Sequence, residues 1–297
     1  LDKYLSLNSS IQFSKIQVLV WKDNMLFQSN WREGQMSDLN RRRFLAAMPA
    51  AMGVLGAAGS LIESARAEDN TASGPRVGLV TYNLAKDWDI PTIIANCTEA
   101  RFEAVELRTT HAHTVEVTLS REKRMEVSKM FSDSSVCLAS LGSTFEYHSQ
   151  DREELKKNIE GTKEYVRLAA DLGCDGVKVR PNSLLEEKGI PREKTIAQIA
   201  RALTEVGNDA ASAGVEIRLE VHGHETNRVP VIRSIMDQCQ SPNVYVCWNC
   251  NESDLDDGGL EKNFQLLADK IHFVHMRDLY VEEYPWRKLF SLLNGIG

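Results

Sequence analysis

The chain has 297 residues, 42% of them apolar, which is enough for a large core and excludes a small module dependent on cross-links. Its 35 Lys and Arg against 42 Asp and Glu give a formal net charge of −7, which disfavours a nucleic-acid backbone as partner. Six cysteines in a chain of this length make no dense disulfide framework.

Residues 1–35 read as an upstream extension foreign to the protein, since the chain opens on Leu1 and Met36 stands just before an export-like segment. Ile16–Trp21 within it has the composition of a strand. In segment 36–67, Asn40-Arg41-Arg42-Arg43-Phe44-Leu45 precedes an Ala/Gly/Met-rich stretch from Ala46 to Ile62 and the small-residue site Ala65-Arg66-Ala67. This resembles a twin-arginine export signal, with Arg41 and Arg42 as the pair. The resemblance implies the twin-arginine translocase as a transient partner and a periplasmic location. The apolar stretch is too short and too rich in Ala and Gly for a membrane span of about 20 residues. Cleavage would leave a mature chain beginning near Glu68, followed by a polar linker over 68–75.

From residue 76 onward, strand and helix patterns alternate. Val77–Tyr82 reads as a first strand, and Pro91 opens a helix to Glu99. Phe102–Leu107 is a second strand, and Ser120 caps a helix over Arg121–Asp133. Val136–Leu141 is a third strand. Asp151 caps a helix ending at Leu172, with Glu154 as its capping-box partner and Gly173 at its end. Gly176–Arg180 is the fourth strand, followed by a helix over Glu193–Ala213 and a fifth strand running from Gly214 through Glu220. A helix over Val229–Gln238, a strand over Asn243–Trp248, a helix over Leu260–Asp269, a strand over Ile271–Met276 and a helix over Trp286–Leu293 complete the series.

Seven βα units in alternation predict parallel strands with helical crossovers. No Gly-x-Gly-x-x-Gly follows the first strand, so a dinucleotide-binding open sheet has no support. Polar residues recur instead at the C-terminal ends of many strands: Glu106 and Arg108, Lys178 and Arg180, Glu220 and His222, Asn249 and Asn251, His275 and Arg277. That spread predicts an α/β fold of the (β/α)8 TIM-barrel type over 76–297, truncated before its eighth strand. Such a barrel would expose the edges of its first and seventh strands, which invites pairing with another chain, a homo-oligomer included.

The segment Arg218–Glu225 places Glu220, His222 and His224 at alternate positions, so on one strand they would share a face. Cys247 and Cys250 stand three apart, and on a strand their sulfurs would diverge rather than act together. His272 and His275 likewise face opposite ways, which makes His272 a packing residue, while His111 and His113 read as a solvated loop.

Val105-Glu106-Leu107, Leu219-Glu220-Val221-His222 and Val274-His275-Met276-Arg277-Asp278, in that order, resemble the strand ends of the xylose isomerase-like TIM barrels, sugar and sugar phosphate isomerases and epimerases. The resemblance runs from about Val77 to the end and implies a divalent ion: manganese, magnesium, cobalt or zinc. It assigns Glu220 as ligand and catalytic base, His275 as ligand, and Asn249 to a ligand position that the family usually fills with Asp. An amide ligates through its oxygen without charge and binds the cation more weakly, unless His222 or Glu252 substitutes. Glu106, Lys178, Arg180, His222 and Arg277 are the expected substrate contacts.

The implied reaction is proton abstraction beside a sugar carbonyl, through an ene-diolate held by the ion, with a second carboxylate returning the proton. The family's second carboxylate lies on the eighth strand, which has no counterpart here. That gap and Asn249 support the alternative of a non-catalytic, vestigial carbohydrate-binding barrel. A zinc-dependent abasic-site endonuclease on the same scaffold would need more His and Asp ligands and a basic rim.

Overall fold

The computed structural model describes residues 17–21, 76–277, 279 and 282–296, and in the first of these segments the side chain of Val20. The export-like segment, the linker and Asp278 lie outside the described residues. Ten strands are described: β1 (Gln17–Trp21), β2 (Arg76–Val80), β3 (Ala104–Arg108), β4 (Cys137–Glu146), β5 (Gly176–Arg180), β6 (Asn182–Ser183), β7 (Glu216–Glu220), β8 (Gly223–His224), β9 (Val244–Asn249) and β10 (Ile271–Met276). Seven α-helices accompany them: α1 (Ile90–Ala100), α2 (Arg121–Ser132), α3 (Arg152–Leu172), α4 (Arg192–Ala213), α5 (Val229–Gln238), α6 (Leu260–Leu267) and α7 (Trp286–Gly295).

Local sequence explains where these elements begin and stop. Asp89 accepts the Thr92 N–H at the start of α1, Ser120 accepts that of Lys123 at α2, and Asp151 accepts those of Glu153 and Glu154 at α3. Each such cap is worth about 1 kcal/mol. The Glu154 side chain does not complete the expected capping box, because it accepts the Ser149 hydroxyl instead. Gly173 and Gly214 end α3 and α4 in the left-handed conformation, at φ 72° and 71°, where a Cβ would be strained.

The sheet closes into a barrel in the order β1-β10-β9-β7-β5-β4-β3-β2. The seven predicted strands are β2, β3, β4, β5, β7, β9 and β10, all parallel to their neighbours within that series. The remaining place is filled by β1, antiparallel to both β10 and β2, with Val20 opposite Val274 and Val77. The sequence reading placed these residues in an upstream extension; in the fold they are a barrel stave. Val-Leu-Val-Trp is β-prone and apolar, as a strand flanked on both sides requires. The edges expected to be open on β2 and β10 are therefore paired.

Two apolar layers result. The outer one packs the helices onto the barrel and includes Val20, Ile93, Leu168, Ile199, Leu203, Val246 and Phe264. The inner one is small: Val80, Ala104, Ala139, Cys247 and Phe273. Below it Arg218 lies buried against Glu216, with its Nε and Nη2 each 3.0 Å from Oε2, and donates from Nη1 to the Ala139 carbonyl at 2.8 Å. Its guanidinium stacks on Phe273 at 4.6 Å. Gly176 makes this possible, since a Cβ there would stand 2.6 Å from the guanidinium. Residues at the C-terminal strand ends are thus held above a charged, packed floor.

Candidate functional site

Four inward side chains from four strands meet above that floor: Glu106 of β3, Lys178 of β5, Glu220 of β7 and His275 of β10. His275 Nδ1 lies 3.2 Å from Glu220 Oε1, and its Nε2 lies 3.3 Å from the Glu106 carboxylate. The Lys178 ammonium donates to Glu220 Oε2 at 2.7 Å. Exposure ranks them: Glu106 0%, Lys178 1%, His275 2% and Glu220 5%, so Glu220 is the member nearest the opening. Glu106 fits because its carboxylate lies against Gly142 of β4, two residues beyond its register partner Ser140; a Cβ there would come 2.5 Å from Oε1, an oxygen with no hydrogen-bond partner.

The charges are mutually dependent. Burial works against ionisation of Glu220, but Lys178 first and then His275 hold it well below the usual carboxylate range. Burial likewise opposes the Glu106 charge, and His275 and then Lys178 hold that group low. On His275 burial works against the proton, and Cys247 and Glu106 work for it, leaving it well above an ordinary imidazole. Burial also pushes the Cys247 thiol up and keeps it neutral, so the carboxylates are what retain an imidazolium.

The other expected contacts divide. Arg180 is engaged by Glu146 at the end of β4, which also accepts the Asn182 amide at 2.8 Å. Arg180 therefore sits in a rim ion pair whose partner the sequence did not reveal. Glu220, His222 and His224 do not share a strand: β7 ends at Glu220, and Gly223, at φ 101°, turns the chain so that Gly223–His224 pairs with Asn182–Ser183. A Cβ on Gly223 would strike the Asn182 carbonyl at 1.9 Å, so this crossing requires glycine. His222 is half-buried with Nδ1 unpartnered, His224 is exposed, and Arg277 is exposed. Asn249 is buried and sits in register with His275 on the neighbouring strand.

Two histidines outside the cluster, His272 and His113, are structural. His272 pairs with Glu216 at 3.0 Å and stacks on Tyr245, as a packing residue should. His113 is not solvated: it is buried, its Nε2–H donates to the Arg108 carbonyl at 2.8 Å, and its Nδ1 accepts the Val115 N–H at 3.0 Å. Cys247 and Cys250 diverge as alternation requires, one into the inner layer and one into the outer.

A further buried acid escaped the sequence reading. Asp254, in the rim loop after β9, accepts the Tyr284 hydroxyl at 2.7 Å and the Asn251 N–H at 2.9 Å. Burial raises it to about 7 against those two hydrogen bonds. Its setting in Glu-Ser-Asp-Leu-Asp-Asp resembles a solvated acidic loop, and only the distant Tyr284 marks it otherwise.

Comparison with known proteins places this geometry. Residues 94–297 match the family described as xylose isomerase-like TIM barrel. The chain belongs to that family. A search of curated proteins gives no match. Among solved structures, the barrel resembles the apo form of the 3-keto-D-glucoside 4-epimerase YcjR from E. coli, at a TM-score of 0.59 and 14% identity over 70% of this chain and 83% of that one. It also resembles the IolI protein with a zinc atom, at 0.57 and 15% identity over 71% and 82%. A D-psicose 3-epimerase crystallised with D-fructose gives 0.51 and 13% over 61% and 64%. At these identities the likeness is one of fold.

The divalent ion implied by the family finds a poor ligand set in this barrel. Both His275 nitrogens are directed at carboxylates, the two Glu220 oxygens are divided between His275 and Lys178, and Asn249 brings no charge. Among the described residues no group of three His, Cys, Asp or Glu side chains is placed to hold a metal ion.

Proposed function

We propose that the cluster carries out sugar isomerase or epimerase chemistry, moving a proton beside the carbonyl of a sugar or sugar phosphate. The observation that carries this reading is the single imidazole of His275 within hydrogen-bond distance of both Glu220 and Glu106. Membership of the xylose isomerase-like barrels and the sugar epimerases among its structural neighbours support the substrate class. Glu220, nearest the opening, is the base that takes the α-proton. Glu106 is the second carboxylate, in the role that the family resemblance assigns to an eighth-strand Glu. His275 orients both and keeps their charges apart from each other. His222 and Arg277, beyond the end of β7 and β10, are the contacts for sugar hydroxyls or a phosphate.

Expectation of a divalent ion on Glu220, Asn249 and His275 has the zinc-holding neighbour in its favour and this donor set against it. A binding-only barrel rests on Asn249, and one experiment decides between it and an enzyme. Ketohexoses incubated with the protein in heavy water should take up deuterium at the carbon next to the carbonyl, and Glu220→Gln should abolish that uptake. Equal uptake with and without the substitution would remove Glu220 from the mechanism.

Export by the twin-arginine pathway to the periplasm is proposed on Arg41-Arg42 and Ala65-Arg66-Ala67. Cleavage there would detach β1 from the rest of the barrel chain, so N-terminal sequencing of exported protein tests export and barrel closure together. Among the described residues no helix is long and apolar enough to cross a membrane.

A further inference from the structure

Lys178, expected from the sequence as a substrate contact, is the cation of the cluster, and the family resemblance gives it no ligand or base role. It leaves β5 in register with Gly142 and is 1% exposed, with its ammonium on Glu220 Oε2 at 2.7 Å. A lysine is almost never buried to this degree unless it is paired. Here the pairing carboxylate is the one that the resemblance assigns to the metal. An ion on Glu220 would share it with a cation already in contact, and its other ligands would be a neutral amide and an imidazole turned to two carboxylates.

We propose that Lys178 stands in for the divalent ion: its ammonium is the fixed positive charge of the site, and the barrel acts on its sugar without a bound metal. This rests on the isomerase or epimerase reading. In that step Glu220 takes the proton from the carbon beside the carbonyl, the C–H electron pair becomes the C=C bond, and the carbonyl π pair moves to oxygen. Negative charge passes from the carboxylate to the ene-diolate oxygen, and the ammonium remains beside it. Return of a proton to the other face of the same carbon restores the carbonyl; return to the former carbonyl carbon, with the hydroxyl proton of the α-carbon passing to the ene-diolate oxygen, forms the carbonyl at the α-carbon, and neither course needs an oxidant or reductant.

Manganese(II) binding to the full chain, followed by electron paramagnetic resonance after dialysis against EDTA, tests the substitution independently of activity. The wild type should bind weakly, Lys178→Arg equally weakly, and Lys178→Met about tenfold more tightly or better, because a repelling charge next to Glu220 is gone. Near-stoichiometric retention of metal by the wild type, or no gain in Lys178→Met, overturns the proposal. The wild-type and Lys178→Arg arms hold even should Lys178→Met fail to fold. Deuterium uptake then separates the two claims. Uptake by metal-free wild type supports both, uptake only with added manganese overturns the role of Lys178 alone, and none in either state overturns the sugar reading.

Discussion

Glu106 and Glu220 enter the barrel on different strands and meet across one imidazole, each within 3.3 Å of a different nitrogen of His275. Sequence alone offered only one carboxylate of the pair that proton transfer requires. The second was present in the motif as a substrate contact, and the closure of the barrel is what turns it toward His275.

Loss of His275 should therefore separate the two acids from their common partner. His275→Gln keeps a polar side chain but cannot carry charge, so it leaves two buried carboxylates with Lys178 as the nearest cation. Deuterium uptake should fall about 10²–10⁴-fold, the usual range for a positioned acid or base. Single-turnover measurements on His275→Gln beside wild type check this, and near-normal uptake would mean that the imidazole does not organise the pair.

The barrel floor offers a test of stability. Arg218→Met takes from the buried Glu216 its guanidinium partner while the His272 contact stays, and breaking such a pair costs about 3–5 kcal/mol. The double variant Glu216→Leu/Arg218→Met removes both charges and should recover most of the loss, as read by urea unfolding midpoints.

Two buried groups titrate with opposite signs. Burial lowers His113 to about 4, so in the fold it stays neutral where the unfolded chain, with an ordinary value of 6.5, binds a proton. The stability that His113 contributes is complete above pH 6.5 and is lost as pH falls to about 4. Asp254, raised from 3.8 to about 7, keeps its proton where the unfolded chain has released it, so stability falls as pH rises from about 4 to 7. Against wild type, His113→Gln should lose ground as pH rises through the first window, and Asp254→Asn should gain ground through the second. Denaturant midpoints across pH 4 to 8 read both, and parallel curves for all three proteins would contradict the assignment.

Most helices and strands were legible because local rules determine them. Asp151, Ser120 and Gly173 mark helix ends by side-chain or φ chemistry that depends on neighbours in sequence. Glu106, Lys178, Glu220 and His275 were legible as strand-end polar residues, since alternation points them inward whatever lies opposite. What was not legible depends on distant partners. Glu146 engages Arg180, Tyr284 buries Asp254, and β1 reaches the barrel through pairing with β2 and β10, none of which spacing encodes. His113 looked solvated because its neighbours are polar, yet its ring closes the loop after β3.

The place of β1 is open to a direct test. Val20 is 2% exposed between the barrel and its helices, and an aspartate there would be buried without a partner. Val20→Asp should cost about 3 kcal/mol, lowering the thermal midpoint by roughly 10 °C. An unchanged midpoint would show that the chain folds without this stave.

The central claim is that Glu220 and Glu106 form a working pair, one removing the proton and the other returning it. Measuring deuterium wash-in and new isomer or epimer together, in Glu106→Gln beside wild type, tests it most directly. Wash-in at the α-carbon should persist, because Glu220 is intact, while product formation falls about a hundredfold. Product formed at the wild-type rate in Glu106→Gln would contradict the pairing.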